Sequence, residues 1–257
     1  MALTLPESTS PALARAVEDA SLLAWPGARE IKLDGWLLRF NGGYTDRANS
    51  VQPLDDGEMP LKTKLVWCMG AFSDAGLPAQ FRITSLTDQA DALEKELASL
   101  GFKKHSPTCV LYLDALPEAE ATLEGWRIMT EQSTEWLTHF RRMDATSPEH
   151  FQTQEELLGR LPAPHGFGLL ERDGQVAACG QVVVTGDYAG VFDIVTDEAL
   201  RRQGLGQALV ESLMQWAREQ GARHAYLQVE AANQPARKLY EKLGFRHLYD
   251  YHYWRSS

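Results

Sequence analysis

Hydrophobic positions recur along this chain with two periods, helical and alternating, and the period switches repeatedly. Residues 10–23 place apolar side chains at helical spacing and run into the turn Trp25-Pro26-Gly27. Residues 30–40 alternate and predict a strand, and Asn41-Gly42-Gly43 is a hairpin signal leading to a second strand over 45–51. A helix is expected over 61–75, a strand over 80–84, a helix over 85–100 and a strand over 103–113. Pro117 and the Glu/Ala-rich stretch 118–124 predict a linker.

The second half repeats this logic. A strand over 126–129 precedes helices over 133–143 and 148–161, the latter stopped by Pro162-Ala163-Pro164. Strands over 166–171 and 175–185 flank Arg172-Asp173-Gly174, in which Asp-Gly is a hairpin turn. Then come a strand over 191–195, an amphipathic helix over 206–220, a strand over 225–229, a helix over 234–243 and an aromatic strand over 246–254. Strands alternating with helices imply mixed α/β layering. The run ending Leu97-Ala98-Ser99-Leu100-Gly101-Phe102 echoes Tyr240-Glu241-Lys242-Leu243-Gly244-Phe245, with each glycine where a helix end favours a left-handed residue. With the matching element order, the echo predicts two copies of one fold.

Composition narrows the function. The chain has 257 residues and a net charge of -10 spread over both halves, without a basic cluster that would track a phosphate backbone. Nucleic acid is therefore not expected as a partner. No apolar run reaches membrane-spanning length and the N-terminus lacks signal-peptide character, so no membrane association is expected. Cys68, Cys109 and Cys179 are three in number and in no metal-ligand spacing. They predict reduced thiols in a cytoplasmic protein with no bound metal.

The chemistry concentrates after residue 190. Arg201-Arg202-Gln203-Gly204-Leu205-Gly206-Gln207 joins a buried-looking strand to the long helix. Gly204 and Gly206 let backbone approach a ligand closely, and the amides of 202–207 are donors of a helix start, suited to a pyrophosphate. A tight strand-to-helix turn accounts for the glycines equally well. Further on, Asn233 and Tyr240 lie seven residues apart, on one side of a helix whose start Pro235 fixes. Asn233 also suits an N-cap.

Together these segments resemble the GNAT superfamily of acyl-CoA-dependent N-acyltransferases. The resemblance rests on Arg201, Gly204 and Gly206 in an Arg-x-x-Gly-x-Gly loop, followed by Asn-x-x-Ala-x-x-Leu-Tyr-x-x-x-Gly-Phe over 233–245. It implies tandem lobes of mixed-sheet α/β fold. Residues 1–117 would be a degenerate GNAT-like lobe and 125–257 the acyltransferase domain, with splayed central strands. The first lobe lacks the glycine loop, showing Asp55-Asp56-Gly57-Glu58-Met59-Pro60 instead, and has Leu97 where the echo places Tyr240.

The resemblance further implies acetyl-CoA as co-substrate, gripped by Arg201, Arg202, Gln203, Gly204, Leu205, Gly206 and Gln207. Its pantetheine arm would lie along the backbone of Asp193, Ile194 and Val195, near Asn233. Tyr240 would protonate the leaving thiolate while a primary amine attacks directly. Asp193, Glu230 or water would take the amine proton. Trp36, Tyr44, Arg47 and Asn49 are candidates for an acceptor pocket between lobes, or else pack within a hairpin. The alternative function is a regulatory module that holds acyl-CoA without turning it over. Acceptor identity and a monomeric or dimeric state stay open.

Overall fold

The computed structural model describes residues 3, 5, 6, 9–118 and 123–256. The linker stretch 118–124 therefore lies partly outside the described residues.

In the first half, α1 (Pro11–Ala24) starts at Ser10, whose side chain caps the amide of Leu13. Where one strand over 30–40 is expected, the chain forms a hairpin, β1 (Arg29–Leu33) and β2 (Trp36–Phe40). Asp34 and Gly35 turn it with φ of 45° and 83°, the left-handed pair that a two-residue hairpin loop needs. Nor is 45–51 one strand: residues Asp46–Ala48 form a turn of 3-10 helix, and β3 (Val51–Pro53) follows. Asn49 causes this, because its side chain bonds the backbone of Asn41, Gly43, Tyr44 and Thr45 and closes the loop on itself. Then come α2 (Leu61–Asp74), β4 (Gln80–Thr84), α3 (Ala90–Ser99) and β5 (Lys103–Leu113). The third helix is shorter than the periodicity implies, since Ser85 and Leu86 are held in a turn by bonds to Asp250 and Thr84.

The second half contributes β6 (Trp126–Met129), α4 (Thr134–Asp144), α5 (Phe151–Leu158), β7 (His165–Arg172), β8 (Gln175–Thr185) and β9 (Tyr188–Thr196). It closes with α6 (Leu205–Glu219), β10 (His224–Glu230), α7 (Gln234–Lys242) and β11 (Arg246–Arg255). The echo between halves is literal at α3 and α7. Gly101 and Gly244 sit at φ of 84° and 89°, and Phe102 and Phe245 donate to Leu97 and Tyr240 at 3.0 Å in both cases.

The eleven strands of the described residues join one mixed sheet in the order β1-β2-β3-β4-β11-β5-β10-β9-β8-β7-β6. The described pairings are antiparallel except β3 with β4 and β9 with β10. Each half lends its last strand to the other: β5 lies between β10 and β11, and β11 lies between β4 and β5. The sheet has a core on each face. In the second half α6 buries Leu209, Leu213 and Ala217 against β7, β8 and β9. Full burial of each such leucine contributes roughly 1.5–3 kcal/mol. The opposite face is covered by α1 and α4, with Trp25, Trp136, Phe167 and Phe192 in its core. Alternation along β8 assigns the faces, with Cys179 and Val183 toward α1, and Val182 and Val184 toward α6.

Candidate functional site

The site is built where β9 and β10 part. Their parallel pairing runs from Tyr188 opposite His224 to Val191 opposite Leu227 and stops there, while β10 stays paired with β5 as far as Glu230. A bulge turns β9 aside. Phe192 faces Gln181 and Val195 faces Cys179, so Asp193 and Ile194 together oppose Gly180. Asp193 takes a φ of 53°, and Gly180 makes room, because a Cβ there would lie 2.4 Å from the Ile194 side chain.

The result is a wedge of about 180 Å³ lined by residues 191–194 and 227–230 and by Arg47, Asn233, Ala236 and Tyr240. On the α6 side it meets a larger cleft of about 660 Å³. Ile194, Val195, Arg201, Arg202, Gly204, Leu205, Gly206, Gln207, Asn233 and Tyr240 all line that cleft. Gln203 instead faces a neighbouring depression beside Gly174.

Gly204, at φ 81°, caps α6. The amides of residues 202–207 find no acceptor among the described residues, so the helix start presents a row of free donors to the cleft. Arg202 in this loop takes a left-handed φ of 64°. Asn233 does cap α7, accepting from the amide of Ala236 at 3.2 Å, and it also lines both cavities.

Tyr240 sits where cleft and wedge join, 7% exposed, packed on Phe245. Burial pushes its phenol up to about 12. Asp193 lies on the face toward α1, where Gln181 donates to its carboxylate at 2.7 Å. Its pKa is pushed up to about 7, chiefly by burial, with Asp144 adding to the rise and Arg47 and Gln181 opposing it. Glu230 reaches the wedge from an exposed position at the end of β10.

Of the four residues considered for an acceptor pocket, Arg47 alone lines the wedge. Trp36 packs in the first-half core, Asn49 closes its own loop, and Tyr44 is buried against Gln154 at 2.9 Å. Gln181 and Gln228 escape a sequence reading, although each is a polar residue set within an apolar stretch of its strand. Among the described residues one group of potential metal ligands is clustered, Cys109, His247 and Asp250, outside this site.

The first half has a corresponding cavity of about 310 Å³ beside β3 and the start of α2. Asp55, Asp56, Glu58 and Asp88 line it, and Lys64 is turned inward onto Asp34 at 2.8 Å. Such a lining repels a diphosphate.

A bulged strand splayed from its parallel neighbour, beside a helix start with free amides, defines a GNAT-type N-acetyltransferase. The family model described as "Probable histone acetyltransferase Rv0428c C-terminal" matches residues 11–254, and the chain belongs to that family. It is 28% identical over 248 residues to the uncharacterized N-acetyltransferase YobR of Bacillus subtilis, covering 93% of this chain and 97% of that one. Over 76 residues it is 41% identical to the alanine N-acetyltransferase of ribosomal protein bS18 from Escherichia coli, covering 30% and 51%. A GCN5-related N-acetyltransferase from Kribbella flavida shares the fold, with TM-score 0.67, 17% identity and coverage of 98% and 96%. A tandem GNAT protein from the clavulanic acid biosynthesis pathway does so with TM-score 0.58, 14% identity and coverage of 98% and 89%.

Proposed function

We propose that the chain moves an acetyl group from acetyl-CoA directly onto a primary amine. The observation that carries this reading is an alignment along one path: free amides of residues 202–207, then the Tyr240 phenol, then the wedge. The amides, with Arg201 and Arg202 at their rim, suit a diphosphate. The backbone of Asp193, Ile194 and Val195, released from β10, has the free polar groups to hold an extended pantetheine arm.

In this reading the amine nitrogen attacks the thioester carbonyl from the Asp193 side to form the C–N bond, and the C–S bond breaks as the tetrahedral intermediate collapses. Main-chain N–H groups of the bulge bind the oxyanion. The amine proton passes to a carboxylate and the Tyr240 O–H protonates the departing sulfur. Asp193 is favoured over Glu230 as base because it is held by Gln181 and titrates near neutrality, as a general base must. Residues 1–117 form a lobe without transfer chemistry and residues 125–257 the transferring lobe. The buried, unpaired thiols of Cys68, Cys109 and Cys179 suit a reducing, cytoplasmic setting.

The test is a thiol-release assay with acetyl-CoA against a panel of amines. Amine-dependent release of CoA is the expected result. Tight acetyl-CoA binding with no release for any amine would replace the transferase by a holding module.

A further inference from the structure

Deepening that reading, we infer that the wedge selects an amine that also carries a carboxylate, an acceptor of amino-acid size. The first observation is Arg47. It comes from the first half, and its guanidinium lies over Trp25 at 5.1 Å and Phe192 at 5.3 Å while lining the wedge. Arg47 forms no ion pair within 4.0 Å among the described residues, and its buried Nη1 has no hydrogen-bond partner. Arg47 is half-buried, and its buried Nη1 is costly to leave idle, because neither water nor protein compensates that donor.

The second observation is independent and lies across the gap. Gln228 on β10 spends its carbonyl on the Tyr251 hydroxyl at 2.8 Å, which leaves its buried Nε2 without a partner. Arg47 and Gln228 thus supply two idle donors to one small space, and a carboxylate is the group that answers both charge and donors. Asp193 cannot serve them fully, since it is committed to Gln181 and titrates near neutrality.

Size and charge agree with this assignment. The wedge holds about 180 Å³, and Trp25, Phe192 and α1 cover the face from which the acceptor approaches. A bare alkylammonium would meet the Arg47 charge, which Asp193 offsets only in its ionised form, whereas an amino acid brings its own counter-charge to it. Arg47 is thus a specificity residue, and it binds the acceptor away from the bond that forms.

The experiment compares amino acids with their amides and their decarboxylated amines as acceptors, using wild type, Arg47→Met and Arg47→Lys. Wild type is expected to favour the carboxylate form by roughly 10- to 100-fold, through KM, the value of a charge-assisted hydrogen-bonded pair. Arg47→Met should level the series and Arg47→Lys should keep part of the preference, each binding acetyl-CoA as wild type does. Equal or better use of the decarboxylated amines by wild type would overturn the inference while leaving the transferase standing. Calorimetric titration with free and N-acetylated amino acids needs no turnover. Binding that Arg47→Met abolishes supports the subsite, and no binding to wild type sinks it even if acetylation fails for other reasons. Loss of acetyl-CoA binding in wild type would instead strike the transferase reading.

Discussion

Glu18 on α1 and Arg82 on β4 form a bidentate ion pair, and at 1% and 2% exposure both are cut off from water. Tyr249 on β11 donates to the same carboxylate, so one buried acid ties a helix and a strand of the first half to the last strand of the second. Burial alone would raise the Glu18 pKa, but Arg82 and Tyr249 overcome it and hold it below the usual range.

Removing one partner should therefore be severe. Glu18→Ala leaves Arg82 charged and dry, and is expected to cost about 3–5 kcal/mol in denaturant unfolding. Because the folded-state pKa is depressed, this contribution is present above the unfolded value of about 4.3 and disappears as pH falls through the folded value. Wild type should lose stability more steeply than Glu18→Ala below pH about 4.

The rate should follow Asp193. With its pKa near 7, kcat/KM is expected to rise with pH up to about that value and level off above it. Burial chiefly sets this limb, Asp144 raises it further, and Arg47 and Gln181 lower it. Asp193→Asn should lose the limb and most of the activity, and Arg47→Met should shift the limb to higher pH. An unchanged profile in Asp193→Asn would move the base elsewhere.

Tyr240→Phe removes the proposed proton donor and keeps the ring against Phe245. A positioned acid contributes roughly 10²- to 10⁴-fold, so kcat should fall by that factor while acetyl-CoA affinity stays within about twofold. Since the phenol is pushed up to about 12, it keeps its proton throughout an ordinary assay range and adds no alkaline limb near neutrality.

The exchange of strands makes a prediction about the halves. Residues 125–257 expressed alone lack β5, which leaves β10 with a bare edge and β11 without a neighbour on either side. Such a fragment is expected to aggregate or to lack a cooperative transition. Supplying residues 1–117 in trans should restore a soluble, folded complex by size exclusion and circular dichroism. A monomeric, active fragment would show that β5 is dispensable.

The sequence carried the cleft better than the wedge. The glycine loop, Asn233 and Tyr240 lie within short segments whose spacing encodes their geometry, and the structure puts them around one cavity. The hairpin at Asp34-Gly35 carries the same Asp-Gly signal as Asp173-Gly174, so it was legible in the sequence although 30–40 is expected there as one strand. The bulge at Asp193 has no local signature, since it depends on Gly180 in the neighbouring strand. Arg47 stands about 145 residues before Asp193, a pairing that only the closed sheet creates. For the same reason the crossed positions of β5 and β11 follow from packing between halves and not from any motif.

That crossing has a bearing on how such a chain can change. In the first half carboxylates line the cavity beside β3, where the second half presents free amides. The second half closes its sheet on β5, and Arg47 reaches the wedge from the first half. A change that loosens the first half would therefore reach the cleft through the strands that the two halves share.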